Sequence, residues 1–252
     1  MPRAPSFLAR SLEPLVGSLW MFFIVWSAIL AALWLGLEQW LPAIPDRGLR
    51  AAALLVSGTG DAIWLLLAAA NLYLHLAEKD GLNRARLVVA VIVASSAAIA
   101  ASSAWTGYPL GAVYYTARLG PKLGPVPLGW PMLWFVVVIS GRELAARIFP
   151  RASHRVLALC AGAGALLTDF NLEPIATKAR LFWFWHLPGS HLPSPPLWRN
   201  YACWFLGASA LAWFAREQRV GSPGRASWRP ALVVIIVNFM LILGHLRAAF
   251  AG

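Results

Sequence analysis

Long apolar runs alternate with short polar connectors along the whole chain, and the runs are too long for strands. A helix needs about 20 mostly apolar residues to cross the hydrocarbon core of a bilayer. On that measure seven spans are predicted, at roughly 15–41, 49–76, 86–104, 128–148, 155–172, 198–215 and 231–250. Pro42 and Pro45 close the first, the polar turn Glu78-Lys79-Asp80-Gly81 the second, and Pro150 the fourth. The fifth is short and carries Ala161-Gly162-Ala163-Gly164-Ala165, the small residues of a close helix-packing face. Two connectors are much longer than the others, Trp105–Pro127 and Glu173–Leu197, and both are rich in proline and aromatic residues. No repeat, low-complexity tract or soluble domain interrupts the pattern. The expected fold class is all-α, a polytopic transmembrane helix bundle of about seven spans, with residues 1–252 as one integral membrane domain.

Composition supports this reading independently of any one segment. Hydrophobic residues make up 60% of the chain and charged residues 12%, with a mean hydropathy of +0.65. Soluble domains run nearer half apolar and a quarter charged, so lipid must cover part of this surface. The net charge of +11 does not imply nucleic acid, because the basic residues sit in connectors between apolar runs. That placement fits positive loops that fix topology and touch anionic membrane lipids. Of the 21 Lys and Arg residues, 13 fall on the N-terminus and the connectors after spans 2, 4 and 6. The positive-inside tendency therefore puts the N-terminus in the cytoplasm and the C-terminus outside. Both long connectors then share one face, since two spans separate them. The first 14 residues are polar, and the run that follows is too long for a signal-peptide core, so it reads as a retained first span. Cys160 and Cys203 lie alone inside apolar stretches and read as small buried hydrophobes.

Ionisable groups inside a membrane are costly and mark candidate function. Asp61 stands near the middle of span 2, and is either an additional acid or a hydrogen-bonding partner of Thr59 and neighbouring helices. Glu143, flanked by Arg142 and Arg147, reads as an interfacial ion-pair residue. Asp169 and Glu173 end span 5 four residues apart, so on a helix both carboxyls share one face. Two such groups in a low dielectric do not both ionise easily, and a retained proton is what a general acid needs. The alternative is that they cap the helix or pair with Lys178 and Arg180. The run Phe182-Trp183-Phe184-Trp185 follows closely, either as an aromatic belt or as π faces that steady a cation. The five histidines show no recurring metal-ligand spacing, so no metal and no cofactor are expected. Walker and dinucleotide-binding patterns are absent from the sequence, and a Ser/His/Asp triad cannot be assembled from spacing.

Read as motifs, the two connectors resemble the carotenoid biosynthesis membrane protein family that includes the carotenoid 1,2-hydratases. The first block is Thr106-Gly107-Tyr108-Pro109-Leu110-Gly111, then Tyr115-Thr116, Leu119-Gly120-Pro121-Lys122-Leu123, Val126-Pro127-Leu128, Pro131 and Trp134. The second is Asp169-x-x-x-Glu173-Pro174, Trp183-x-Trp185, Gly189, Pro196, Asn200-Tyr201 and Trp204. This chain departs from the family pattern at Ala100, Leu110, Val113, Glu173, His191 and Cys203. The resemblance implies hydration of a terminal isoprenoid double bond, by protonation to a tertiary cation that water captures. Asp169 and Glu173 would be the catalytic acid and its partner. Trp183 and Trp185 would flank the cation. Thr106, Tyr108, Tyr115 and Asn200 would position water, and Trp204 belongs to the same substrate-binding set. The implied partners are a lipid-dissolved carotenoid substrate and other carotenoid-pathway enzymes, and the implied location is a bacterial or archaeal cell membrane. Two other readings stand beside it. A membrane prenyltransferase would use Asp169-x-x-x-Glu173 on diphosphate, and a transporter or assembly partner would use Asp61 and Asp169 as a polar pathway.

Overall fold

The computed structural model describes residues 7–186, 194–216 and 227–250, with side chains described between Leu15 and Arg247. Its frame is seven α-helices: α1 Phe7–Trp34, α2 Arg47–Asp80, α3 Leu82–Thr106, α4 Gly129–Ile148, α5 His154–Pro174, α6 Trp198–Phe214 and α7 Arg229–Phe250. Each lies on one of the predicted spans. Five are long and apolar enough to cross a membrane: the segments Leu15–Trp34, Arg47–Asp80, Leu82–Thr106, His154–Ala179 and Arg229–Arg247. The chain is an all-α membrane bundle on that basis. The other two helices differ for visible reasons. α6 has only 17 residues, and α4 carries Arg142, Glu143 and Arg147 near its end.

α4 occupies the centre, packed against α2, α3, α5, α6 and α7. Its run from Leu133 through Ile139 is buried on every side, as expected for a helix apolar all round. The outer helices instead expose large apolar side chains such as Phe22, Leu55, Leu87, Leu167 and Leu206, the surface that lipid covers. Local chemistry sets the breaks. Asp46 caps α2 by accepting from the Leu49 amide at 2.6 Å, and Ser153 caps α5 by accepting from Val156.

Three boundaries depart from expectation. The first helix begins at Phe7, eight residues before the expected start at residue 15. It stops at Trp34, short of residue 41, because Gly36 turns left-handed (φ 118°) into the 3₁₀ turn Leu37–Ala43. The fifth helix runs past residue 172 to Pro174 and continues as a π-helical turn, Ile175–Ala179. The long connectors are also more ordered than simple loops. The first contains β1 Ala112–Tyr115 and the hairpin of β2 Lys122–Leu123 with β3 Val126–Pro127; the second contains β4 Trp183–His186. β1 pairs antiparallel with β4, with Val113 opposite Trp185 and Tyr115 opposite Trp183. Those four side chains share the inward face, in keeping with the period-two alternation of a strand. The two connectors therefore meet as one small sheet on the same end of the bundle.

Candidate active site

The inward face of that sheet lies over the end of α5. Trp185 Nε1 donates to Glu173 Oε2 at 2.8 Å, and Trp183 Nε1 donates to the same oxygen at 3.4 Å. From α6, Asn200 Nδ2 donates to Asp169 Oδ2 at 2.7 Å and to Glu173 Oε1 at 3.3 Å. One amide thus bridges both carboxyls. All five side chains are buried, with Asp169, Trp183 and Asn200 completely so. Helical spacing puts the acids on one face as the sequence predicts, and the facing helix and strand supply the donors. Arg180, one of the two basic residues (with Lys178) considered as their partners, bonds instead to Asp61 and Glu38.

An aromatic wall surrounds the pair. Tyr115 lies 4.9 Å from Trp130 and 6.4 Å from Trp183, ring centre to ring centre. Trp130 meets Trp183 edge-on at 5.2 Å and Trp204 at 5.8 Å, and Trp204 stacks on Trp134 at 4.4 Å with 17° between planes. Such offset and edge-to-face pairs are the favoured aromatic arrangements. Burial and the nearby carboxyls push the Tyr115 hydroxyl well above the usual tyrosine range, so it stays protonated and can donate. Its oxygen and Asp169 Oδ1 are both buried without a hydrogen-bond partner among the described residues. They are polar atoms of the site left open to a small molecule such as water.

Glu173 and Trp185 also line a cavity of about 620 Å³, bounded by Phe170, Phe184, Tyr201, Pro195 and Pro196 and with Lys178, His186 and His245 on its wall. Its size and apolar aromatic lining are those of a small-molecule site. Gly111 makes room for one wall: at φ 133° it holds a conformation glycine favours, and a Cβ there would lie 3.2 Å from the Trp185 ring.

Of the residues singled out in the sequence, Asp169, Glu173, Tyr115, Trp183, Trp185, Asn200 and Trp204 come together here. Thr106 and Tyr108 do not. Thr106 Oγ1 donates to the Ser102 carbonyl at 2.7 Å, and Tyr108 is exposed, with Arg199 5.6 Å from its ring centre. Asp61 lies in a separate cluster with Arg180 and Trp34, and Thr59 turns away from it to the Leu55 carbonyl. Gly189 and His191 lie outside the described residues. Glu143 is an ion-pair residue, as expected, 3.0 Å from both Lys79 and Arg142, with His75 at 3.6 Å. The place of Trp130 in the wall and the pairing of Arg180 with Asp61 are not evident from the sequence. Trp130 stands four residues before Trp134, a helical spacing that could have marked it, whereas nothing local ties Arg180 to Asp61, 119 residues away.

Comparison with known proteins gives the family. The family model described as "carotenoid biosynthesis protein" matches residues 60–251, which include every residue of the cluster. The chain belongs to the carotenoid biosynthesis protein family. One relative is the bisanhydrobacterioruberin hydratase of Haloarcula japonica, 32% identical over 176 residues. That alignment covers 68% of the present chain and 58% of the relative's length. No solved structure matches the chain.

Proposed function

We propose that this carotenoid biosynthesis protein is a hydratase that adds water across the terminal 1,2 double bond of an acyclic carotenoid end group. The observation that carries this reading is the buried Asp169–Glu173 pair, bridged by Asn200 and walled by Tyr115, Trp183 and Trp185. The named relative is a hydratase, which supports the same reaction class.

The chemistry needs an acid, a cation-tolerant wall and one water. Asp169, protonated on its open Oδ1, gives its proton to C2 of the trisubstituted end, and the π electrons form the new C–H bond. A tertiary cation results at C1. Indole and phenol faces stabilise it, since aromatic rings attract cations, most strongly where water is excluded. A water adds to C1, and its extra proton passes to a carboxylate of the pair. The sum is one water added, with the acid restored. Trp183, Trp185 and Asn200 keep Glu173 supplied with donors, so it can carry negative charge in a dry setting. The cavity beside Glu173 takes the hydrocarbon end from the bilayer.

In this reading all seven helices cross the membrane, the N-terminus is cytoplasmic, and the lipid-dissolved polyene never passes through water. The test is expression in cells that accumulate lycopene, followed by pigment extraction. A more polar, hydroxylated product is expected from the wild type and none from Asp169→Asn at equal membrane abundance. An unchanged product with Asp169→Asn would remove the assigned acid.

A further inference from the structure

Asp61 and Arg180 are buried ionisable groups that the hydration chemistry does not use. Arg180 Nε and Nη2 both donate to Asp61 Oδ2, at 3.1 and 2.5 Å, and Nη1 donates to Glu38 Oε1 at 2.5 Å. Asp61 Oδ1 accepts from Trp34 Nε1 at 3.0 Å, and Glu38 Oε1 accepts from Ser57 Oγ at 2.7 Å. The guanidinium is thereby fixed to α2 and to the turn that follows α1. The attraction of these carboxylates outweighs burial and keeps Arg180 charged, above its ordinary range.

The backbone of Arg180 occupies the short link between the acids and the tryptophans, seven residues after Glu173 and three before Trp183. Its amide donates to the Ile175 carbonyl at 2.7 Å, and the Phe182 amide donates to the Ala176 carbonyl at 2.7 Å. Between them Leu181 adopts φ 54°, a conformation uncommon for a residue with a Cβ. Thr116, just after β1, holds the same link by donating from Oγ1 to the Leu181 carbonyl at 2.7 Å. The link is therefore tight, and the Arg180 side chain is anchored in the bundle rather than in the site.

We propose that the Arg180–Asp61–Glu38 cluster is a positioning clamp, setting where Trp183 and Trp185 stand over Glu173. This rests on the hydration reading, in which Glu173 is a reacting partner. Asp61 is then a positioning residue and not an additional acid.

The experiment uses the full chain in lipid nanodiscs with two variants. Arg180→Lys keeps the charge but lacks the two-pronged guanidinium fork. The double variant Asp61→Asn with Arg180→Gln removes both charges, so that neither member of the pair is left as a stranded buried charge. Backbone hydrogen exchange over 175–186 is read beside kcat and KM for a lycopene-type polyene. Exchange is expected to rise in that segment while α3 stays protected. Misplacement of this order should lower kcat by roughly 10- to 100-fold, with KM moving by less than about threefold. Wild-type exchange and kcat in both variants would overturn the clamp, as would a raised KM with kcat intact. If the wild type forms no hydrated product, the hydration reading fails and the exchange result alone decides the clamp.

Discussion

Asn200 is the residue on which the two acids depend jointly, since its single amide nitrogen reaches both. Trp185 supplies the shortest hydrogen bond to the Glu173 carboxyl, at 2.8 Å, and the Trp183 indole at 3.4 Å is a weak substitute. Trp185→Phe keeps an aromatic face and removes the donor. A hydrogen bond to a charged group is worth about 1.5–3 kcal/mol, so turnover should fall roughly 10- to 100-fold. The check is initial hydration rate in membranes matched for protein content. A rate equal to wild type would mean that Glu173 does not need the donor. At this scale the sequence carries half of the site. The four-residue spacing of Asp169 and Glu173 is local and legible, because a helix aligns such residues. The contacts of Asn200 and Trp185 with those acids depend on how separate elements pack, and nothing in their own neighbourhood fixes that.

The site needs α5 and α6 close together, because one carries the acids and the other Asn200. Gly162 permits that approach. A Cβ there would lie 2.5 Å from the Phe205 carbonyl oxygen of α6 and would also strike the Ser209 hydroxyl. Backbone cannot yield as a side chain can, so Gly162→Ala must push the helices apart. The expected cost is about 1–3 kcal/mol, read as a lower unfolding midpoint in detergent, together with lost hydration activity. Gly164→Ala is the internal control, since nothing among the described residues lies within 4 Å of its added Cβ. Equal effects of the two substitutions would contradict a close-packed α5–α6 seam. The Gly/Ala run of the fifth span announces such a seam in the sequence. The β1–β4 pairing is not announced, because each strand is four residues long and its partner lies about 70 residues away. Arg142 and Glu143 likewise give α4 the look of a peripheral helix end, yet their partners are built into the bundle around it.

Across the whole molecule the acid site and the Glu143 cluster lie toward opposite ends of the bundle. Trp130 and Glu143 stand thirteen residues apart on the central helix, which separates them by about 20 Å at 1.5 Å per residue. One end holds the acids, the small sheet and the cavity; the other holds Glu143 with Lys79, Arg142 and His75. The proposed topology follows the excess of Lys and Arg on the connectors at the Glu143 end and makes that end cytoplasmic. The acid site then faces outward and draws its water from the external side. Single cysteines test this assignment in a background with Cys160 and Cys203 replaced by alanine. Lys122 and Arg151 are exposed positions on the two opposite connector sets. In intact cells a membrane-impermeant maleimide should label Lys122→Cys, and should label Arg151→Cys only after lysis. The reverse pattern would invert the protein and give the site cytoplasmic water. Equal labelling of both in sealed cells would place the two connector sets on one face, which a bundle of seven crossings does not allow.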